Sequence, residues 1–174
     1  MLHMTNIIFR NATPSDAAAV VNLVNLAYRT EGGWTTESHL VIGDRLVEED
    51  YLLSLQQNDQ LILLAEKSGE VVGCIEIKMQ GIQAQLGMLA VLPEKQDQGI
   101  ASDLLEQAEK IAQSHFNASE AFMLVLDVRK DLLEYYFRKG YERANEYAPF
   151  PIDLNVGKPI SENLILEKII KQLN

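Results

Sequence analysis

A chain of 174 residues, 47% of them apolar, suits a single domain spanning 1–174 around one core. Its formal net charge of −10 argues against nucleic acid as the main partner, because duplex binding needs clustered Lys and Arg; it is compatible with a cationic partner without demanding one. No stretch reaches the roughly 20 apolar residues that span a bilayer, and Met1-Leu2-His3-Met4-Thr5-Asn6 lacks a basic region followed by an apolar run, so neither membrane nor secretory signal is expected. Cys74 is the only cysteine and cannot form an internal disulfide. Within Val71-Val72-Gly73-Cys74-Ile75 it reads as a buried thiol rather than a nucleophile, which suits a cytoplasmic protein.

The chain opens on a short strand at Ile7-Ile8-Phe9. Thr13-Pro14-Ser15-Asp16 then marks a helix start: Thr13 can cap, Pro14 suits the first helical position, and Asp16 favours the positive end. Ala17, Val20, Val21, Val24, Ala27 and Tyr28 recur at helical spacing until Gly32-Gly33 breaks the pattern, and a second short helix is expected before Gln57. Two strands follow, over 61–65 and 71–79, joined by a turn at Lys67-Ser68-Gly69-Glu70. A third runs over 84–91. From Gly99 to Ser114, the residues Ile100, Leu104, Ala108 and Ile111 share one helical face. Residues 121–128 are almost all apolar, as in a strand buried on both faces. A short helix over 131–139 is closed by Gly140, and the tail holds one more apolar run, Leu164-Ile165-Leu166, before a polar end. The order predicts a mixed α/β sheet with helices against it.

The segment from Leu89 to Ala101 runs from strand through loop into helix. Backbone N–H groups at a helix start carry partial positive charge and suit phosphate oxygens. Gly99 has no Cβ and Ala101 only a methyl, so an anion can approach the backbone there. Taken alone, Gln96-x-x-Gly99-x-Ala101 is also an ordinary helix start. It is neither a Walker loop nor a dinucleotide fingerprint.

Those residues resemble the GNAT superfamily of N-acetyltransferases, whose coenzyme signature is Gln/Arg-x-x-Gly-x-Gly/Ala. Here it reads Gln96-Asp97-Gln98-Gly99-Ile100-Ala101, after a strand ending Val91-Leu92-Pro93. A second block, Tyr135-Tyr136-Phe137-Arg138-Lys139-Gly140-Tyr141, resembles the family's aromatic-Tyr-x-x-x-Gly-aromatic pattern, and residues 8–16 resemble its first strand and helix cap. The resemblance implies a central, mostly antiparallel mixed sheet, flanked by helices, whose two parallel strands splay apart. Here those strands are 84–91 and 121–128. It also implies acetyl-coenzyme A as cosubstrate, with no metal. Leu89 and Val91 would offer backbone groups to the pantetheine arm, and Gln96, Gln98, Gly99, Ile100 and Ala101 would line the pyrophosphate. Arg129 would reach a phosphate or simply start the last helix.

By the same resemblance, a backbone N–H near Leu89 is the oxyanion donor and Tyr136 the acid that protonates the departing thiolate, with Tyr135 as its rival. Some relatives carry a glutamate where this chain has Gln85, which cannot take a proton. Glu76 on a neighbouring strand is the alternative base, through water, or an exposed strand residue. The acceptor-forming segment contains Tyr28, Trp34 and Glu37; an aromatic beside an acid suits an ammonium group, and a packed loop is the plainer reading. Arg45 would read a substrate carboxylate or lie on a solvated helix face. The expected activity is acetylation of a primary amine on a small or amino-acid-like acceptor. Acetylation of a protein N-terminus or lysine, and a non-catalytic acyl-coenzyme A sensor, stay open as alternatives, as does a homodimer.

Overall fold

In the computed structural model, β1 (Ile8–Asn11) leads into a single 3-10 turn at Pro14–Asp16 and then α1 (Ala17–Arg29). The structure describes residues 6–30, 36–96, 98–161 and 163–174. The helix start is fixed by Asp16, whose carboxylate accepts the Thr13 N–H at 2.9 Å and both terminal nitrogens of Arg10 at 2.8 Å. That fork holds the Asp16 carboxyl far below the usual carboxylate range. Val20, Leu23, Val24 and Ala27 form the buried stripe of α1.

The two-residue strand β2 (Val41–Ile42) and α2 (Glu48–Ser54) precede the hairpins β3 (Gln60–Lys67), β4 (Glu70–Gln80) and β5 (Gln83–Val91). Then come α3 (Ile100–Ser114), β6 (Glu120–Leu126), α4 (Lys130–Arg138), β7 (Glu142–Pro149), β8 (Lys158–Pro159) and β9 (Ile165–Gln172). Seven strands form one sheet in the order β1-β3-β4-β5-β6-β9-β7, while β2 and β8 pair separately. Among the described residues of the large sheet, only β5 and β6 run parallel. The mixed, mostly antiparallel sheet flanked by helices is the expected architecture.

Helix α3 covers the face that bears Gly73, and α1 and α2 cover the face that bears Cys74. The α3 contact is close: a Cβ on Gly73 would stand 2.8 Å from Leu104 Cδ1 and 3.2 Å from the Ala90 carbonyl oxygen. Cys74 is buried, as expected, and its thiol is pushed up to about 12 by desolvation.

One irregularity shapes the sheet. Cys74 pairs with Ala90 and Glu76 with Gly87, so Met88 and Leu89 together oppose Ile75. This is a β-bulge, and Met88 carries it with φ +52°. The bulge inverts which backbone groups of β5 face β4. Leu92 N–H donates to Val72 O at 2.9 Å, so by alternation Leu89 and Val91 turn their polar groups away from β4.

Beyond the two-residue strands β2 and β8, which the sequence analysis does not predict, three elements differ from the expectation. β7 is a full strand where none is predicted; it lies at the sheet edge with mostly exposed residues, so no apolar alternation marks it. The tail strand continues from Ile165 to Gln172 instead of ending in a polar coil, because Ile169 packs in the core and Arg143 pairs with the buried Glu167. β6 stops at Leu126, two residues early. Its Leu124 is 36% exposed, so the strand is not buried on both faces throughout. The Gly32-Gly33 break lies outside the described residues.

Candidate active site

The pairing between β5 and β6 ends at Gln85 opposite Phe122. Beyond it the strands diverge, and a cavity of about 570 Å³ opens between Leu86–Leu89 on one side and Met123–Leu126 on the other. Tyr28, Glu37, Arg45 and Glu76 line it on the α1 side, and Tyr136 on the α4 side. A strap formed by Pro149, Phe150, Pro151, Leu154 and Val156 makes a further wall. Arg29 pins that strap: its guanidinium donates to Gly43 O at 2.7 Å, to Glu37 Oε2 at 3.0 Å and to Val156 O.

A second cavity, of about 240 Å³, lies farther along β5 at the start of α3. Val91, Gln96, Gly99, Ala101, Tyr135 and Lys139 are among its walls. Gly99 sits in the left-handed region with φ +79°, and a Cβ there would meet nothing within 4 Å. Glycine is therefore needed for the backbone conformation, and the space outside it is open. The first N–H groups of α3 have no carbonyl one turn back and carry the positive end of the helix. Lys139 Nζ donates to Ser102 Oγ at 2.7 Å and stands 5.4 Å from the Tyr135 ring centroid. A cation, a hydroxyl and a helix start thus converge on one small hollow.

The backbone of β5 connects the two cavities. Tyr28 donates its hydroxyl to Leu89 O at 2.7 Å, and Gln96 Nε2 donates to Val91 O at 3.2 Å. Both carbonyls point into the wedge, as the bulge requires. Tyr136 is 4% exposed, and burial holds its phenol well above its ordinary value, so it stays protonated. No hydrogen bond engages its hydroxyl among the described residues, and no buried side-chain polar atom lacks a partner, so that hydroxyl reaches open space. Burial also raises the Glu76 carboxyl, against the pull of Arg45 and Lys78.

Most of the residues singled out from sequence are brought together. Leu89, Tyr136, Glu76, Tyr28, Glu37 and Arg45 border the larger cavity; Val91, Gln96, Gly99, Ile100 and Ala101 border the smaller. Glu37 arrives already paired with Arg29. Gln98 borders neither and accepts from Lys67 Nζ at 3.1 Å. Arg129 also lines neither cavity; it is buried, donating to Thr36 O at 2.8 Å and pairing with Asp131 at 3.3 Å. Trp34 lies outside the described residues. Sequence reasoning missed Lys139 and Ser102, although the four-residue step from Tyr135 to Lys139 places both on one helix face. It also missed Lys78, two residues after Glu76 on the same face of β4.

The profile of the acetyltransferase (GNAT) family matches residues 20–143. An uncharacterized N-acetyltransferase from Chlorobaculum tepidum is 30% identical over 142 residues, covering 80% of this chain and 79% of that protein. Among solved structures, the PaiA N-acetyltransferase of Thermoplasma acidophilum, in complex with coenzyme A, superposes with a TM-score of 0.70 at 19% identity, covering 96% of this chain and 99% of that one. The ribosomal-protein-S18-alanine N-acetyltransferase of Escherichia coli reaches 0.70 at 14% identity, over 97% and 95% of the two chains. A spermidine N-acetyltransferase variant of Vibrio cholerae reaches 0.71 at 14%, over 96% and 94%. The chain belongs to the GNAT family and is an N-acetyltransferase, an acyltransferase of that fold.

Proposed function

We propose that this single domain transfers the acetyl group of acetyl-coenzyme A to the primary amine of a small acceptor. The observation that carries the reading is the pair of cavities joined along β5, one with a helix start and a lysine, the other with a protonated tyrosine and a half-buried carboxyl. Pyrophosphate oxygens suit the first N–H groups of α3 beside Gly99, with Gln96 at the edge. The pantetheine amides suit the outward backbone of Leu89 and Val91, where the Tyr28 hydroxyl and the Gln96 amide now bond. The coenzyme complex of the Thermoplasma relative supports the choice of cosubstrate.

The amine nitrogen attacks the thioester carbonyl carbon. The C–S bond breaks, and the new bond is an amide. The Leu89 N–H stabilises the oxyanion, the Tyr136 hydroxyl gives its proton to the departing sulfur, and the amine's proton passes to Glu76 through water. All of these groups come from one chain. The strap over the larger cavity favours a small acceptor over a protein tail, and a free Tyr136 hydroxyl favours turnover over sensing. A cytoplasmic setting suits a chain in which no described helix is long and apolar enough to cross a membrane.

The test is thiol release from acetyl-coenzyme A with a panel of amines, together with calorimetry on Gly99→Val. A branched side chain at Gly99 enters the open space of the phosphate turn and weakens coenzyme binding. Unchanged affinity in a folded variant would reject the site; binding without thiol release from any amine would leave the sensor.

A further inference from the structure

Resting on that reading, we infer that the acceptor carries a carboxylate as well as its reacting amine, the carboxylate held by Arg45 and Lys78 and the amine by Glu76. The acceptor class is therefore the amino acids rather than the polyamines.

Three arginines stand near the larger cavity, and two are committed. Arg29 is spent on Glu37, Gly43 and Val156, and Arg129 on Asp131 and Thr36. Arg45 is different. Its backbone N–H is fixed by Asn25 Oδ1 at 2.8 Å, its guanidinium lies 5.7 Å from the Tyr28 ring centroid, and no carboxylate stands within ion-pair distance among the described residues. Lys78 likewise has no ion pair among them. Two cations therefore face the cavity without an ion pair among the described residues, both near the Glu76 carboxyl.

Glu76 is the matching negative group. It lines the same cavity, has no ion pair among the described residues, and is opposed across β4 and β5 by Gly87. A Cβ on Gly87 would meet nothing within 4 Å, so the floor beside the carboxyl is open. Of the other cavity carboxylates, Glu37 is neutralised by Arg29 at 3.0 Å, and Asp50 accepts from Asn155 at 3.3 Å. A polycation would meet Glu76 and Asp50 but would also set its charges against Arg45 and Lys78. An acceptor with one ammonium and one carboxylate pairs both signs, and the planar guanidinium suits a carboxylate in two-point contact.

The experiment compares each amino acid in a panel with its own carboxamide, which keeps the skeleton and amine but removes the negative charge. Thiol release gives kcat/KM for both, and calorimetry in the presence of coenzyme A gives binding. We expect the acids to exceed their amides by about 10- to 100-fold, the range for a hydrogen bond to a charged group. In Arg45→Met, which keeps length and apolar bulk over Tyr28, that ratio should fall toward one through a higher KM for the acids. Arg45→Lys should retain part of it and guards against a folding defect. Equal use of acids and amides by the parent overturns the inference, as does a ratio that survives Arg45→Met. Coenzyme binding with neither acids nor amides bound or used also overturns it, while leaving the coenzyme reading intact.

Discussion

Tyr135 and Tyr136 have ring centroids 5.3 Å apart with planes inclined at 69°, yet they face different cavities. Tyr136 borders the space between the splayed strands. Tyr135 borders the hollow at the start of α3 and shares a hydrogen bond with Ser102. Successive helical residues diverge by about 100°, and here that divergence sends the two rings to different cavities, which under the proposed function separates the thiolate's acid from a neighbour of the coenzyme's phosphates.

The first prediction follows from this separation. Tyr136→Phe should slow single-turnover acetyl transfer by on the order of 10²–10⁴-fold with coenzyme affinity nearly unchanged. Tyr135→Phe should leave the transfer step alone and weaken coenzyme binding slightly. Rapid-quench kinetics decides the case: parent-like transfer in Tyr136→Phe removes it from the mechanism.

A second prediction concerns Lys139. Its ammonium, on the residue just past α4, borders the hollow at the start of α3 and is held on Ser102. Lys139→Met should weaken coenzyme A binding, and the salt dependence of that affinity should become shallower. Pantetheine, which lacks the anionic groups, should bind parent and variant alike. Dephospho-coenzyme A separates the pyrophosphate from the 3′-phosphate. A variant with the parent's affinity and salt slope would take Lys139 out of the site.

The third prediction is about pH. Burial raises the Glu76 carboxyl above its ordinary value of about 4.3. As a proton acceptor it works only when ionised, so kcat/KM should climb through that raised value as pH increases. Glu76→Gln should lose this limb and retain any limb that belongs to the acceptor's amine. Folding favours the protonated carboxyl, so its contribution to stability is present below the ordinary carboxylate range and is lost as pH rises through the raised value. Glu76→Gln should therefore melt above the parent near neutral pH, with the gap closing in acid. An equal or lower Tm at neutral pH would show that the carboxylate is better solvated than its surroundings indicate.

The elements that sequence displayed well are those with one apolar face. The stripes of α1 and α3 and the branched run of β4 announce themselves because burial selects one side. β7 stayed hidden because an edge strand with exposed residues needs no apolar alternation. The turn into α3 was legible because it depends on small residues at fixed spacing before a helix, with Gly99 in the left-handed region. Of the larger cavity, sequence offered Tyr28, Glu37, Arg45 and Glu76 one by one but not the strap or the way they converge, because these groups come from segments distant in sequence. Whether an arginine is committed or available depends on partners such as Val156 and Thr36, which no local pattern reveals.

The extra residue at Met88 has a consequence for how this strand tolerates change. Up to Gly87, the odd-numbered positions of β5 bond to β4; after the bulge, Ala90 and Leu92 take over that duty. Removing Met88 would restore an unbroken ladder in which Ala90 and Leu92 still bond β4 and Leu89 and Val91 still face away, but it would take out the local kink and added twist that the bulge gives β5. The chain would keep its sheet, while the outward amide edge of Leu89 and Val91 would no longer be held at the same angle to β6. Single-residue deletion at this point should thus be quieter in a melting experiment than in a binding one, the reverse of what core packing alone would suggest.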